Sequence, residues 1–315
     1  MTTPRRGAKD ERGFALLVVM LVMALAAVVS AEFAYSMRLE AAAVRAYKAG
    51  IIGNHLAETA LEQAIREIVA DTPYVVEDDD GLLTFYTADR RPLPRLRREK
   101  AEFGGGRYSY RITDEEARLN VNNSPPDRID RLLQRLGLDK DVRDTIVDSI
   151  QDWRDPNDAH RLNGAESDDY YLKLPVPYRA HNANLESVAE LLQIKGITPA
   201  IYNGTKDRPG LAGLVTVRGS GPVNMNTAGP GALRALGLST AEITEIEQSR
   251  RNNGPYLTQP AKFGARQLGK IRTTTFRIEA EGIVDDKVAA RVTAIVQKRD
   301  GDPPGVAVLE WSGTR

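Results

Sequence analysis

FALLVVMLVMALAAVVSA, residues 14–31, is a run of eighteen positions without a charge, interrupted only by Ser30. At about 1.5 Å per residue a helix of that length reaches roughly 27 Å, enough to cross the hydrocarbon of a bilayer. Arg5, Arg6, Lys9 and Arg12 precede it, against Asp10 and Glu11. A basic flank on that side favours a cytoplasmic N-terminus with the rest of the chain exported. A cleaved signal peptide would show small residues and a structural break after the apolar run. Instead EFAYSMRLEAAAVRAYKAGIIGNHLAETALEQAIREIVAD follows, with no proline before Pro73. Leu56, Ala60, Ala64, Ile65 and Ile68 keep roughly helical spacing within it. The pattern predicts one helix over 14–71, about 85 Å long and softened at Gly50 and Gly53. Its N-terminal part, 14–35, is a transmembrane anchor, and the remainder is an amphipathic stem.

The rest of the composition bounds the function. The chain has 315 residues, with 43 Lys+Arg balanced by 43 Asp+Glu. That balance excludes a globally basic nucleic-acid coat and an acidic disordered tail. The absence of cysteine excludes a disulfide framework, zinc-thiolate and Fe–S sites and a cysteine nucleophile.

Arg12-Gly13-Phe14 followed by ALLVVMLVMAL resembles the prepilin signal of type IV pilins and type II secretion pseudopilins. The resemblance implies a leader, residues 1–13, cut by a prepilin peptidase between Gly13 and Phe14, with methylation of the new N-terminal Phe14. Most pilins carry Glu at the fifth mature position, where it pairs with the α-amine of a neighbouring subunit inside the membrane. Here that position is Val18. A buried carboxylate is costly unless paired, so its loss suits a subunit with no neighbour above it. Among pseudopilins this resembles the large K-type minor pseudopilin.

After the helix come short alternating runs, Leu82–Thr87 and Arg107–Thr113, separated by the basic loop RRPLPRLRREKAEFGGG. Near the C-terminus, runs at 276–284 and 288–298 flank Asp285-Asp286-Lys287 as a hairpin, and 306–311 adds an edge strand. Between these groups, from about Leu119 to Gly264, the pattern is mostly helical. The expected fold is α+β: a pilin-like long N-terminal helix packed on an antiparallel sheet, with a large inserted α-helical domain. The divisions are stem and first strands at 36–118, insert at 119–265, and closing strands at 266–315. The K-type family has such an insert.

Within the insert, NVNNSPPDRIDRLLQRLGL (120–138) is echoed by NMNTAGPGALRALGL (224–238). Each runs Asn-x-Asn, Pro, helix and Leu-Gly-Leu, then a second helix at 142–152 or 242–250. Asn, Ser or Thr before a helix can cap its free amides, and Gly after it permits a left-handed exit. HNANLESVAELLQIKGI (181–197) is a third, partial echo. These units read as helix-turn-helix repeats, with a SAM or helix-hairpin-helix-like character. The alternative reading is a membrane-anchored helix-hairpin-helix DNA-binding protein, with NGPY ending the second helix and Arg250 and Arg251 on phosphates. The turn Leu236-Gly237-Leu238-Ser239 lacks the second glycine of such modules, and residues 224–270 carry a net charge of only +3. No nucleic-acid partner is therefore expected.

The stretch DWRDPNDAHRLNGAESDDYY, residues 152–171, carries six carboxylates against Arg154 and Arg161. Pro156, Asn157 and Gly164 make it a loop. Clustered carboxylates repel unless solvated or bridged by a hard cation. Counting Asp155 as position 1 puts Asn157 at 3 and Glu166 at 12, offsets shared with an EF-hand loop. Ala159 and His160 at positions 5 and 6 exclude an EF-hand. The pattern Asp-Trp-x-Asp-x-Asn, then Gly-Ala-Glu and Tyr, resembles the K-type signature. That resemblance implies Ca²⁺ held by Asp155, Asn157 and Glu166, with Asp158, Asp168 and Asp169 as further ligands. Asp152 is expected to brace the preceding helix, and Trp153 to anchor the core.

Catalytic patterns are absent from the sequence. His55, His160 and His181 are scattered, and no Gly-x-Ser-x-Gly elbow or phosphate-binding glycine loop occurs. The reading is a structural, non-enzymatic subunit, single-pass in the inner membrane, with a cytoplasmic N-terminus and a periplasmic globular part. By resemblance its partners are the I- and J-type minor pseudopilins, the major pseudopilin and the prepilin peptidase. It would cap the pseudopilus tip and help to initiate assembly.

Overall fold

The computed structural model describes residues 10–78, 80–264, 270–301 and 304–313. Most of the leader, and the 265/266 boundary between insert and closing strands, lie outside them.

Helix α1 (Asp10–Ala70) is continuous through Gly50 and Gly53. Side chains from 13 to 48 are exposed, so this length stands clear of the rest of the protein. Beyond it, Ala57, Ala60, Leu61, Ala64 and Ile68 form one buried face with the i, i+3, i+4 spacing of an amphipathic helix. Gly53 does not soften the helix. A Cβ there would lie 2.6 Å from Ala289 Cβ, and one on Gly282 would lie 1.9 Å from Gly53 O. The two glycines let helix and strand backbones touch. Lys298 Nζ donates to Ile68 O (2.8 Å) and to Asp71 O, closing the free carbonyls at the end of α1.

The sheet packed on α1 is antiparallel throughout, its strands ordered 305–313, 287–299, 275–284, 106–114 and 101–103 from edge to edge. In chain order, β1 (Tyr74–Glu77) and β2 (Leu83–Tyr86) form a separate two-stranded hairpin. β3 (Ala101–Phe103) and β4 (Gly106–Asp114) begin the main sheet. β5 (Leu119–Asn120), β6 (Gly204–Thr205), β7 (Arg208–Pro209) and β8 (Val215–Thr216) are short pairings within the insert. β9 (Thr275–Val284), β10 (Lys287–Arg299) and β11 (Gly305–Gly313) complete the main sheet. Two expectations are corrected here. The run at 82–87 is not a strand of the main sheet, because it pairs with β1. The basic loop before Gly104 also ends in a strand, β3. A buried ion pair holds that loop down: Arg98 meets Glu67 of α1, and Tyr110 Oη donates to the same carboxylate at 3.0 Å.

The insert leaves after β4 and returns at β9, which are hydrogen-bonded neighbours with Asp114 opposite Phe276. Entry and exit therefore lie side by side, and the excursion does not disturb the sheet. The insert has its own core, including Leu132, Leu133, Ile146, Ile150, Trp153, Tyr171, Leu233 and Ile246. Its helices are α2 (Pro126–Arg135), α3 (Lys140–Arg154), α4 (Pro199–Asn203), α5 (Pro230–Ala235), α6 (Thr240–Asn253) and α7 (Ala261–Gly264). The third echo is a 3-10 turn at Val188–Gln193; the segment is too short and too loop-bound for an α-helical pair.

The two main echoes are equivalent in detail. In each, the first Asn side chain accepts from the second Asn backbone: Asn122 N to Asn120 Oδ1 (2.9 Å), and Asn226 N to Asn224 Oδ1 (3.0 Å). The second Asn then brackets a distant peptide, Leu185 for Asn122 and Tyr256 for Asn226, accepting its N–H and donating to its C=O. An arginine in the last turn of each second helix donates to the residue between the asparagines, Arg154 to Val121 O and Arg250 to Met225 O. These asparagines therefore do not cap the following helices, whose N-caps are Pro125 and Gly229 without side-chain bonds. Gly137 (φ +70°) and Gly237 (φ +85°) do make the left-handed exits. Arg250 is only 8% exposed and also donates to Ala228 O at 2.8 Å, so it is not a surface phosphate contact. Burial lowers its pKa to about 10.

Candidate functional site

Phe14 and the run behind it are open to their surroundings. Within the first eighteen positions after Gly13 every side chain is exposed, Phe14 at 72%. This is one helix long and apolar enough to cross a membrane, and the protein covers none of its apolar window. Val18 lies on it, 42% exposed.

The acidic loop follows α3. Asp152, at the last buried turn, accepts from Arg161 N and Nη1 and from Ala165 N at 2.9 Å. It braces the loop against the helix, as expected. Trp153 is 2% exposed, its ring edge-on to Tyr171 at 5.3 Å. Arg161 also binds Asp155 at 2.6 Å, so one guanidinium joins the two carboxylates. Asn157 is exposed: its Nδ2 donates to Asp155 Oδ1 (2.8 Å) and its Oδ1 accepts from Ala159 N (2.9 Å). Asp169 Oδ1 accepts from Glu166 N at 2.8 Å, fixing a turn, and Asp168 faces solvent.

Glu166 is different. It is 1% exposed, and neither carboxylate oxygen has a hydrogen-bond partner. Burial, followed by the charges of Asp152, Asp155 and Asp158, raises its pKa to about 7. Asn182, whose Nδ2 donates to Asp158 at 3.0 Å, also has a buried Oδ1 without a partner. The structure thus brings Glu166, Asp152, Asp155 and Asp158 into one electrostatic neighbourhood. It uses Asn157 and Asp169 in turns and leaves Asp168 outside. No set of three His, Cys, Asp or Glu side chains among the described residues is arranged to hold a metal. The donor chemistry still fits a hard cation: oxygen ligands, an orphaned buried carboxylate and an orphaned amide oxygen. Sequence spacing did not reveal Arg161 or Asn182. Arg161 sits unmarked among the acids, and Asn182 reaches Asp158 only through the fold.

A helix long and apolar enough to cross a membrane, continuing as the spine of an antiparallel sheet with a helical domain spliced between two sheet neighbours, defines a pilin-like protein with an enlarged head. A family profile described as "Type II secretion system (T2SS), protein K" matches residues 110–207. Putative type II secretion system protein K of Escherichia coli (strain K12) is 28% identical over 275 residues, 82% of this chain and 80% of that protein. Type II secretion system protein K of Pseudomonas aeruginosa is 26% identical over 326 residues, covering 94% and 91%. A solved structure described as the GspK-GspI-GspJ complex from the enterotoxigenic Escherichia coli Type 2 Secretion System has a chain matching with TM-score 0.54. That match covers 68% of this chain and 82% of the other at 18% identity, and it speaks to the fold. Over most of its length the chain is similar to type II secretion system protein K, and these matches support the role of a minor pseudopilin in protein transport.

Proposed function

We propose that this minor pseudopilin caps the pseudopilus tip and helps to start its assembly, with I- and J-type minor pseudopilins beneath it and the major pseudopilin below them. The observation that carries the reading is the spliced head: an independent core wider than the stem is hard to repeat along a thin filament. Val18 supports it, since a topmost subunit has no neighbouring amine to neutralise. The solved GspK-GspI-GspJ complex, one chain of which this fold matches, supports the minor partners. The role is structural, without catalysis, and the chain lies across the inner membrane with its N-terminus cytoplasmic and its head periplasmic.

Processing falls between Gly13 and Phe14, carried out by the prepilin peptidase, and Phe14 is then methylated. A Cβ on Gly13 would meet nothing within 4 Å. Packing therefore does not require glycine there, although it weakens the helix relative to alanine, which supports selection by a peptidase. Gly13→Ala should leave the leader attached, read as an unshifted mass of the full chain from membranes. A normally cleaved Gly13→Ala chain would overturn the reading.

The acidic loop holds Ca²⁺ through Glu166, with Asp155, Asp158 and Asn157 as neighbouring oxygen donors and Asn182 Oδ1 added by the fold. Asp168 and Asp169 join only if the loop rearranges. The ion would neutralise carboxylates that the chain itself leaves uncompensated.

A further inference from the structure

The insert meets the stem at two crossings, the entry over 114–118 and the exit over 270–275, and three consecutive acidic residues sit between them. Asp114, Glu115 and Glu116 are at most 3% exposed. Asp114 Oδ1 accepts from Thr273 Oγ1 (2.6 Å) of the exit, while its Oδ2 accepts from Asn224 Nδ2 (2.7 Å) and Thr227 Oγ1 (2.6 Å) of the insert. Glu116 accepts from Thr274 N and Lys270 Nζ of the exit and from Ser220 N of the insert. Glu115 pairs with Arg277 of β9 through two nitrogens, with Arg118, and with Thr216 Oγ1 of β8 at 2.7 Å. Burial opposes the charge on Glu115 and Glu116, but the bonds from Arg277 and Lys270 hold both below the usual carboxylate range.

The sister turn shows that this arrangement is specific to the junction. In the first repeat, Asn120 Nδ2 donates to Arg218 O, inside the insert. At the matching position of the second repeat, Asn224 Nδ2 instead crosses to the stem carboxylate of Asp114. Three buried carboxylates thus each bind both bodies. Arg118 and Arg277 meet the charge of Glu115, and Lys270 meets that of Glu116. Asp114, held by neutral donors, is raised by burial to a pKa of about 6.

We infer that Asp114-Glu115-Glu116 is a conformational lock that makes stem and insert one cooperative body, so that the orientation of α1 is carried rigidly into the head. The inference stands on the junction alone and is independent of tip placement. Calorimetry of the full chain in detergent micelles tests it. The wild type should melt in one transition, with calorimetric and van't Hoff enthalpies in a ratio near about 1. Glu116→Gln combined with Asn224→Ala should split the melt in two, raising that ratio toward about 2, and should open the segment 270–274 to protease before either body unfolds. Asn120→Ala, which breaks the sister bond within the insert, should lower the single transition without splitting it. Two resolved transitions in the wild type overturn the lock without reference to any variant. A folded double variant that still melts as one unit also overturns it.

Discussion

Replacing Glu166 with glutamine should stabilise the calcium-free protein at pH 8 while abolishing its response to calcium. In the metal-free fold the carboxyl is raised from 4.5 to about 7, first by burial and then by Asp152, Asp155 and Asp158. A raised carboxyl disfavours the charged form in the folded state. The group therefore costs nothing below pH 4.5, where it is protonated in both states, and its cost grows as pH rises through about 7. At roughly 1.4 kcal/mol per decade of proton affinity, the full cost is about 3 kcal/mol. Glutamine keeps the shape and stands in for the protonated acid, so it removes that cost at high pH and little of it at low pH. Calcium at a hundred times its dissociation constant would return about 2.7 kcal/mol to the wild type, or about 5–10 °C in melting temperature for a domain of this size. Melting curves of wild type and Glu166→Gln from pH 5 to 8, in chelator and in calcium, decide the matter. The gap favouring the variant should widen with pH in chelator and close or reverse in calcium. A variant that melts below the wild type in chelator at pH 8 would refute the orphan-carboxylate argument. Identical wild-type curves in chelator and calcium would refute the ion.

Gly53→Val forces a side chain into Ala289, already 2.6 Å from an added Cβ; overpacking of that kind costs about 1–3 kcal/mol, read by chemical denaturation, and an unchanged midpoint would show that helix and sheet can part. Arg98→Ala leaves Glu67 buried without a counter-charge, with Tyr110 Oη still donating to it, for an expected loss of about 3–5 kcal/mol, whereas Glu67→Gln with Arg98→Met should recover most of it in the same assay. Arg250→Met removes the donor to Met225 O and Ala228 O, which should cost about 1–3 kcal/mol and lower the melting temperature. A normal melt with lost duplex binding at low salt would restore the nucleic-acid reading.

What was legible in the sequence follows from the range of the forces involved. The long helix was readable because both halves are written locally, an unbroken apolar run and then a one-sided stripe. The hairpin of β9 and β10 was readable because Asp285-Asp286 marks its turn. β3 was hidden because only three residues, Ala101–Phe103, pair with β4, and they follow a segment whose arginines suggest a loop. Arg98 looked like one of several surface charges, and only Glu67, thirty-one residues earlier, makes it a core residue. The asparagines of the repeats stand where helix caps usually stand, yet they do another task. Capping is a local use, whereas bracketing Leu185 or Tyr256 depends on contacts that no spacing rule encodes. The same limit applies to Asp114-Glu115-Glu116, which resembles an ordinary polar turn until Thr273, Lys270 and Arg277 close around it.

The repeat also isolates the acidic loop. In the second unit, the clamped peptide at Tyr256 comes six residues after Arg250. In the first, the clamped Leu185 comes thirty-one residues after Arg154. Both units close the same way, so the asparagine clamp does not need the additional twenty-five residues, although Tyr171 within them enters the insert core. Those residues hold the acidic stretch, the orphaned Glu166 and the partnerless Asn182 Oδ1. In the sister loop, by contrast, Asn226 bonds both polar groups of Tyr256 across a short span. An excursion that the clamp does not require, with buried oxygens that the chain does not satisfy, carries a cost in stability. That cost makes physical sense if something outside the chain completes the site, and oxygen donors of this density fit a divalent cation.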